Sequence, residues 1–146
     1  MSIANTPPFL VSLLFAPGQH PHSIGLVLVP TLAEMHAILD ASELAAPDVP
    51  EAGGGPPRAA CCYDHDGDAE LGFVVFAEEA LTPSLLVHEL THAAMFFVQG
   101  KVMTSKVVQA KTEDQQGEYY FEACAHTVET LFDQAAAALY DFTRKK

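Results

Sequence analysis

The chain has 146 residues, 49% of them hydrophobic, and a formal net charge of −12. That length and apolar share fit one domain, residues 1–146, with a single modest core. The negative charge repels nucleic-acid phosphates and anionic bilayer surfaces, so neither is expected as a partner. The few basic residues form no patch: Lys101, Lys106 and Lys111 are scattered, and Arg144-Lys145-Lys146 lies at the end.

The longest largely apolar stretch, residues 9–16, falls well short of the roughly 18 that a membrane helix needs. No Lys or Arg precedes Arg58, so the stretch lacks the charged start of a secretory signal. It reads as a strand, and the protein as cytoplasmic. Residues 23–29 form a second β-type run, with Pro17-Gly18 turning the chain between the two. His20-Pro21-His22 falls in that connection and reads as surface. Residues 31–45 carry apolar side chains at the spacing of an amphipathic helix, with Thr31 as its cap.

Residues 47–57 hold four prolines and three consecutive glycines and are expected to be a flexible loop. Residues 59–63 and 71–77 read as a β-hairpin around a polar tip. The tip, Asp64-His65-Asp66-Gly67-Asp68, has the alternating acids of a calcium loop. It lacks the rest of the twelve-residue pattern, so a solvated turn is expected. Cys61 and Cys62 are neighbours, which seldom make a sound disulfide, and Cys124 leaves the count odd. Reduced thiols in a reducing compartment are the simpler reading.

Thr82 and Pro83 suit the cap and first position of a helix over about 83–98, which Gly100 can end. Thr112 with Gln115 makes a capping-box pattern, opening a last helix over about 113–142. The fold class is therefore α+β: a small, mostly antiparallel sheet packed against an early helix and these two.

The chemistry centres on His88-Glu89-Leu90-Thr91-His92. Histidines four apart on a helix share one face, so two imidazole nitrogens can reach one ion. Zinc takes such nitrogens at roughly 2.0–2.1 Å and lowers the pKa of a water bound to it. Glu89, beside the first His, can take that water's proton. Leu85, Leu86, Val87, Leu90 and Ala93 to Phe97 surround the motif, so the helix reads as buried nearly all round. Burying His88, Glu89 and His92 without partners would cost several kcal/mol, a cost that a metal resolves.

After His92 the chain reads Ala93-Ala94-Met95, which departs from the three-histidine layout of metzincins. A further ligand is expected on the last helix, where Glu118, Glu122, His126 and Glu129 form one polar stripe. That stripe faces either solvent or a shared polar centre.

The His-Glu-x-x-His segment, followed by Glu122-Ala123-Cys124-Ala125, resembles the gluzincin pattern. It is also similar to small phage and bacterial zincin-like proteins and to the ImmA/IrrE peptidases. The resemblance covers roughly residues 71–132. It implies that His88, His92 and Glu122 hold zinc, that Glu89 is the general base, and that the substrate is a peptide or protein. In zincins a strand just before the active helix forms an edge against which the substrate pairs, and residues 71–77 stand in that place. Many gluzincins carry an Asp four residues after the ligand Glu; here that position is His126. His126 and Tyr119 are candidates for steadying a tetrahedral oxyanion, and Glu118 or His126 are alternative third ligands. A rival reading keeps the zinc and drops the catalysis: a structural or interaction module on a zincin scaffold, such as a phage component.

Overall fold

A computed structural model describes residues 8–15, 21–43 and 57–145. Four strands form one sheet: β1 (Phe9–Leu14), β2 (Ser23–Val29), β3 (Ala59–Tyr63) and β4 (Glu70–Ala77). Their spatial order is β1-β2-β4-β3. β1 with β2 and β3 with β4 are antiparallel, while β2 and β4 are parallel. The α+β class and the mostly antiparallel sheet are as the pattern predicts.

β4 lies inside the sheet because it is apolar on both faces. Val74, Val75, Phe76 and Ala77 are all fully buried, the mark of a strand covered on both sides. This corrects the expectation that residues 71–77 form the edge: β3, not β4, is the outer strand. Between Ser23 and Gly25 the β2–β4 register slips, with Ser23 opposite Glu70 and Gly25 opposite Phe73. Gly72 absorbs the extra residue at φ 111°, where a Cβ would run into the Cys62 carbonyl. The bulge lets Leu71 share the core face with Val74 and Phe76, against strict alternation.

Helices cover both faces. α1 (Leu32–Ala41) lies on one, burying Met35 against Val29, Val75 and Ala77. Thr31 caps it as expected, and Glu34 returns the bond to complete a capping box. The helix closes on Ser42, short of the residue 45 that periodicity suggested.

On the other face lie α2 (Pro83–Phe97) and α4 (Glu113–Arg144), around a core of Leu13, Ile24, Leu26, Phe76, Leu90 and Leu131. Thr82 caps α2 and Thr112 caps α4 with Gln115, both as predicted. Gly100 does not end α2. The chain widens into a π-turn over Val98–Val102 and reaches α4 through a short α3 (Lys106–Gln109) that the sequence pattern did not suggest. The stretch expected to be a flexible loop lies, apart from Pro57, outside the described residues; Pro57 meets the His36 imidazole through its carbonyl at 2.9 Å. No helix among the described residues is long and apolar enough to cross a membrane.

Candidate metal centre

The His-Glu-x-x-His segment occupies the middle of α2, whose inner side buries Leu86, Leu90, Ala93 and Ala94. Its outer side is open, because Val87, His88, His92 and Met95 are exposed. The helix is therefore amphipathic rather than buried all round, and the burial cost falls on Glu89 alone, at 4% exposure.

The two imidazoles meet on the open side. Their Nε2 atoms are 3.2 Å apart, with the rings at 73°. Two nitrogens each about 2.05 Å from a tetrahedral ion stand roughly 3.3 Å apart, so the pair already has the span of two zinc ligands. Partial burial, and then the neighbouring His88, hold His92 below the usual histidine pKa. That favours the neutral ring a metal requires.

Glu89 turns inward at the rim of this pair, with its carboxylate 4.0 Å from His88 Nε2. It faces β3, where it raises the pKa of both cysteine thiols. Alternation puts Ala59, Cys61 and Tyr63 on the α2 side of the sheet. Burial first and Glu89 second push the Cys61 thiol well above its ordinary range. The same causes take Cys62 to about 11. The Tyr63 hydroxyl, raised to about 12 chiefly by burial, has no hydrogen-bond partner among the described residues.

Beyond His92 the rings continue along α2 towards the end of β3. His92 stacks at 6.2 Å on Phe96, which meets Tyr63 at 5.4 Å and His65 at 5.2 Å. Sequence reasoning missed Cys61 and this aromatic wall. The alternation of residues 59, 61 and 63 was the available signal, but it could not say which helix they face.

The expected contributions from α4 are not gathered here. Glu122 and His126 face solvent, with side chains 78% and 70% exposed, and approach each other at 3.8 Å. Tyr119 is 41% exposed and lies beneath the Lys111 ammonium, 5.5 Å from its ring centre. Glu118 and Glu129 are also exposed. Among the described residues no third His, Cys, Asp or Glu completes a metal-holding group with the pair. α4 turns its apolar stripe, through Thr127, Leu131 and Ala135, towards the core, which leaves the acidic stripe outside.

The Asp-rich tip is a clipped turn. Asp64 accepts from the Asp66 and Gly67 amides, Lys101 donates to the Gly67 carbonyl at 2.7 Å, and the His22 ring bonds the Asp68 carbonyl at 2.8 Å. His22 also packs edge-on against Phe97 at 5.4 Å, so it is a structural clip rather than a loose surface residue. Cys61, Cys62 and Cys124 are free thiols.

Comparison with protein-family models, with curated proteins and with solved structures returned no significant match.

Proposed function

We propose that the chain is a zinc-dependent peptidase in which His88 and His92 hold the metal and Glu89 is the general base. The observation that carries this reading is the 3.2 Å separation of two Nε2 atoms on an open helix face, with a buried carboxylate at its rim. The third ligand in this proposal comes from α4, Glu122 first and Glu118 or His126 as alternatives. It has to turn towards the pair, because all three side chains are exposed and join no metal-holding group with the pair among the described residues.

Zinc, when bound, supplies Lewis acidity that lowers the pKa of water to near 7. The chain's residues do the rest. Glu89 is buried, with its carboxylate 4.0 Å from His88 Nε2. In that position it takes a proton from the attacking water and returns it to the departing amine nitrogen. β3 is the outer strand beside this face. The Asp64 amide bonds the Leu71 carbonyl, so alternation turns the N–H and C=O of Ala59, Cys61 and Tyr63 to the side on which no strand among the described residues pairs with β3. An extended peptide can add there as a fifth strand.

The test is zinc content per chain by elemental analysis, followed by hydrolysis of a mixed peptide library. About one zinc per chain is expected in the wild type, and much less in His88→Ala and His92→Ala. Glu89→Gln should keep the zinc and lose roughly 10²–10⁴-fold in any cleavage. Wild-type protein that takes up no zinc when offered it removes the proposal. Cleavage unchanged in Glu89→Gln removes the mechanism.

A further inference from the structure

The outward face of α4 has features that the metal centre does not use. No Lys or Arg lies between Lys111 and Arg144, so almost the whole helix, about 48 Å at 1.5 Å per residue, carries no fixed positive charge. Its acids repeat at the spacing that makes them repel: Glu118 with Glu122, and Glu129 with Asp133, are each four residues apart. All four are exposed. Like-charge pairs at this spacing weaken a helix.

Large aromatic side chains stand among these acids, with Phe121 73% and Tyr140 64% exposed. Scattered surface apolar groups are ordinary, but exposed aromatic rings within and beside a one-sign stripe on the outward side of one helix are the make-up of a docking surface. The chain itself shows what this surface accepts. Lys111, Gln115, Glu118, Tyr119 and Glu122 line a shallow hollow of about 430 Å³. Within it the Lys111 ammonium rests over the Tyr119 ring at 5.5 Å. A cationic side chain of the protein thus already lies over one ring of this surface.

We propose that the outward face of α4 docks a Lys/Arg-rich amphipathic segment of a partner protein. Its basic side chains pair with Glu118, Glu122, Glu129 and Asp133, and its apolar side chains cover Phe121 and Tyr140. A second copy of this chain is a poor occupant, because two surfaces of the same sign repel at a net charge of −12 each. Glu118 and Glu122 are also candidate zinc ligands, so docking is tested on metal-free protein, where its outcome does not depend on the zinc reading.

The probe is a synthetic amphipathic helical peptide built only of Leu and Lys, titrated by calorimetry into chelator-treated protein at physiological salt. The wild type is compared with the α4 triple variant Glu118→Gln/Glu122→Gln/Glu129→Gln and with Phe121→Ser. A control triple, Glu43→Gln/Asp66→Asn/Asp68→Asn, changes the net charge equally at exposed sites elsewhere. Saturable binding is expected, weakened at least about tenfold by the α4 triple and by Phe121→Ser, and by less than about twofold by the control. All the substituted side chains are exposed, and circular dichroism checks that each variant stays folded. Equal losses in the two triples mean diffuse charge attraction and overturn the proposal. Absence of saturable binding, or binding indifferent to Phe121→Ser, overturns it as well.

Discussion

The carboxamide of Gln134 closes the outer edge of β1 at Leu14, accepting from its N–H at 2.7 Å and donating to its C=O at 2.6 Å. A side chain of α4 thus takes the place of the next strand. β1 needs such a device, since it carries no charge and leaves Leu10 and Leu14 exposed. Gln134→Ala should cost about 1–2 kcal/mol in urea unfolding. It should also produce concentration-dependent association by sedimentation velocity. Gln134→Glu keeps the acceptor and sets a carboxylate against the Leu14 carbonyl, so it should be no better than Ala. A variant as stable and as dispersed as the wild type would show the edge bond to be incidental.

The exposed position of Glu122 allows a decision on the third ligand. If Glu122 ligates the zinc proposed for His88 and His92, Glu122→Ala should weaken zinc at least about 10- to 100-fold, as loss of even an outer partner does. Its salt contact with His126 is exposed and worth little, so folding stability without metal should change by less than about 0.5 kcal/mol. Zinc affinity unchanged in Glu122→Ala but reduced in Glu118→Ala or His126→Ala would move the assignment along the helix.

Burial and the charge of Glu89 raise the β3 thiols, so stability should fall at alkaline pH. The Cys62 thiol is raised from 9.0 to about 11 in the folded chain. In the unfolded chain it loses its proton first, so its contribution is fully present below pH 9 and is lost as pH rises to about 11. The loss is up to about 2–3 kcal/mol at 1.36 kcal/mol per unit. Urea midpoints at pH 8.5 and 10.5 should fall more steeply for the wild type than for Cys62→Ala. Parallel falls would show that the thiol keeps its ordinary pKa in the fold.

Gly72 is irreplaceable on steric grounds. At φ 111° a Cβ would strike the Cys62 carbonyl, so Gly72→Ala must break the β3–β4 pairing locally or shift the bulge. A loss of at least about 2 kcal/mol is expected by thermal unfolding. Gly117→Ala is the contrast: it lies inside α4 with open space around it, and should stabilise the chain by about 0.5–1 kcal/mol.

Much of this was legible before any coordinates. Thr31, Thr82 and Thr112 marked their helix starts because an N-cap is a local bond between a side chain and an amide three residues on. The unbroken apolar run of β4 held the information that it is covered on both faces, although it also fitted an edge position. Tertiary packing overrode Gly100. It keeps an ordinary backbone conformation inside a π-turn, because Val98 is held in the core beside α4.

Spacing and local bonding in the sequence were enough for the four strands, the three longer helices with their caps, the α+β class and the single helix face that His88 and His92 share. Folding in three dimensions settled which strand is the edge, that Glu89 is buried near Cys61, and that the acids of α4 stand exposed without forming a metal-holding group with the histidines among the described residues. Those depend on which side each helix presents to the sheet. That choice is made by the competition among all the apolar faces for one core, which no short segment contains.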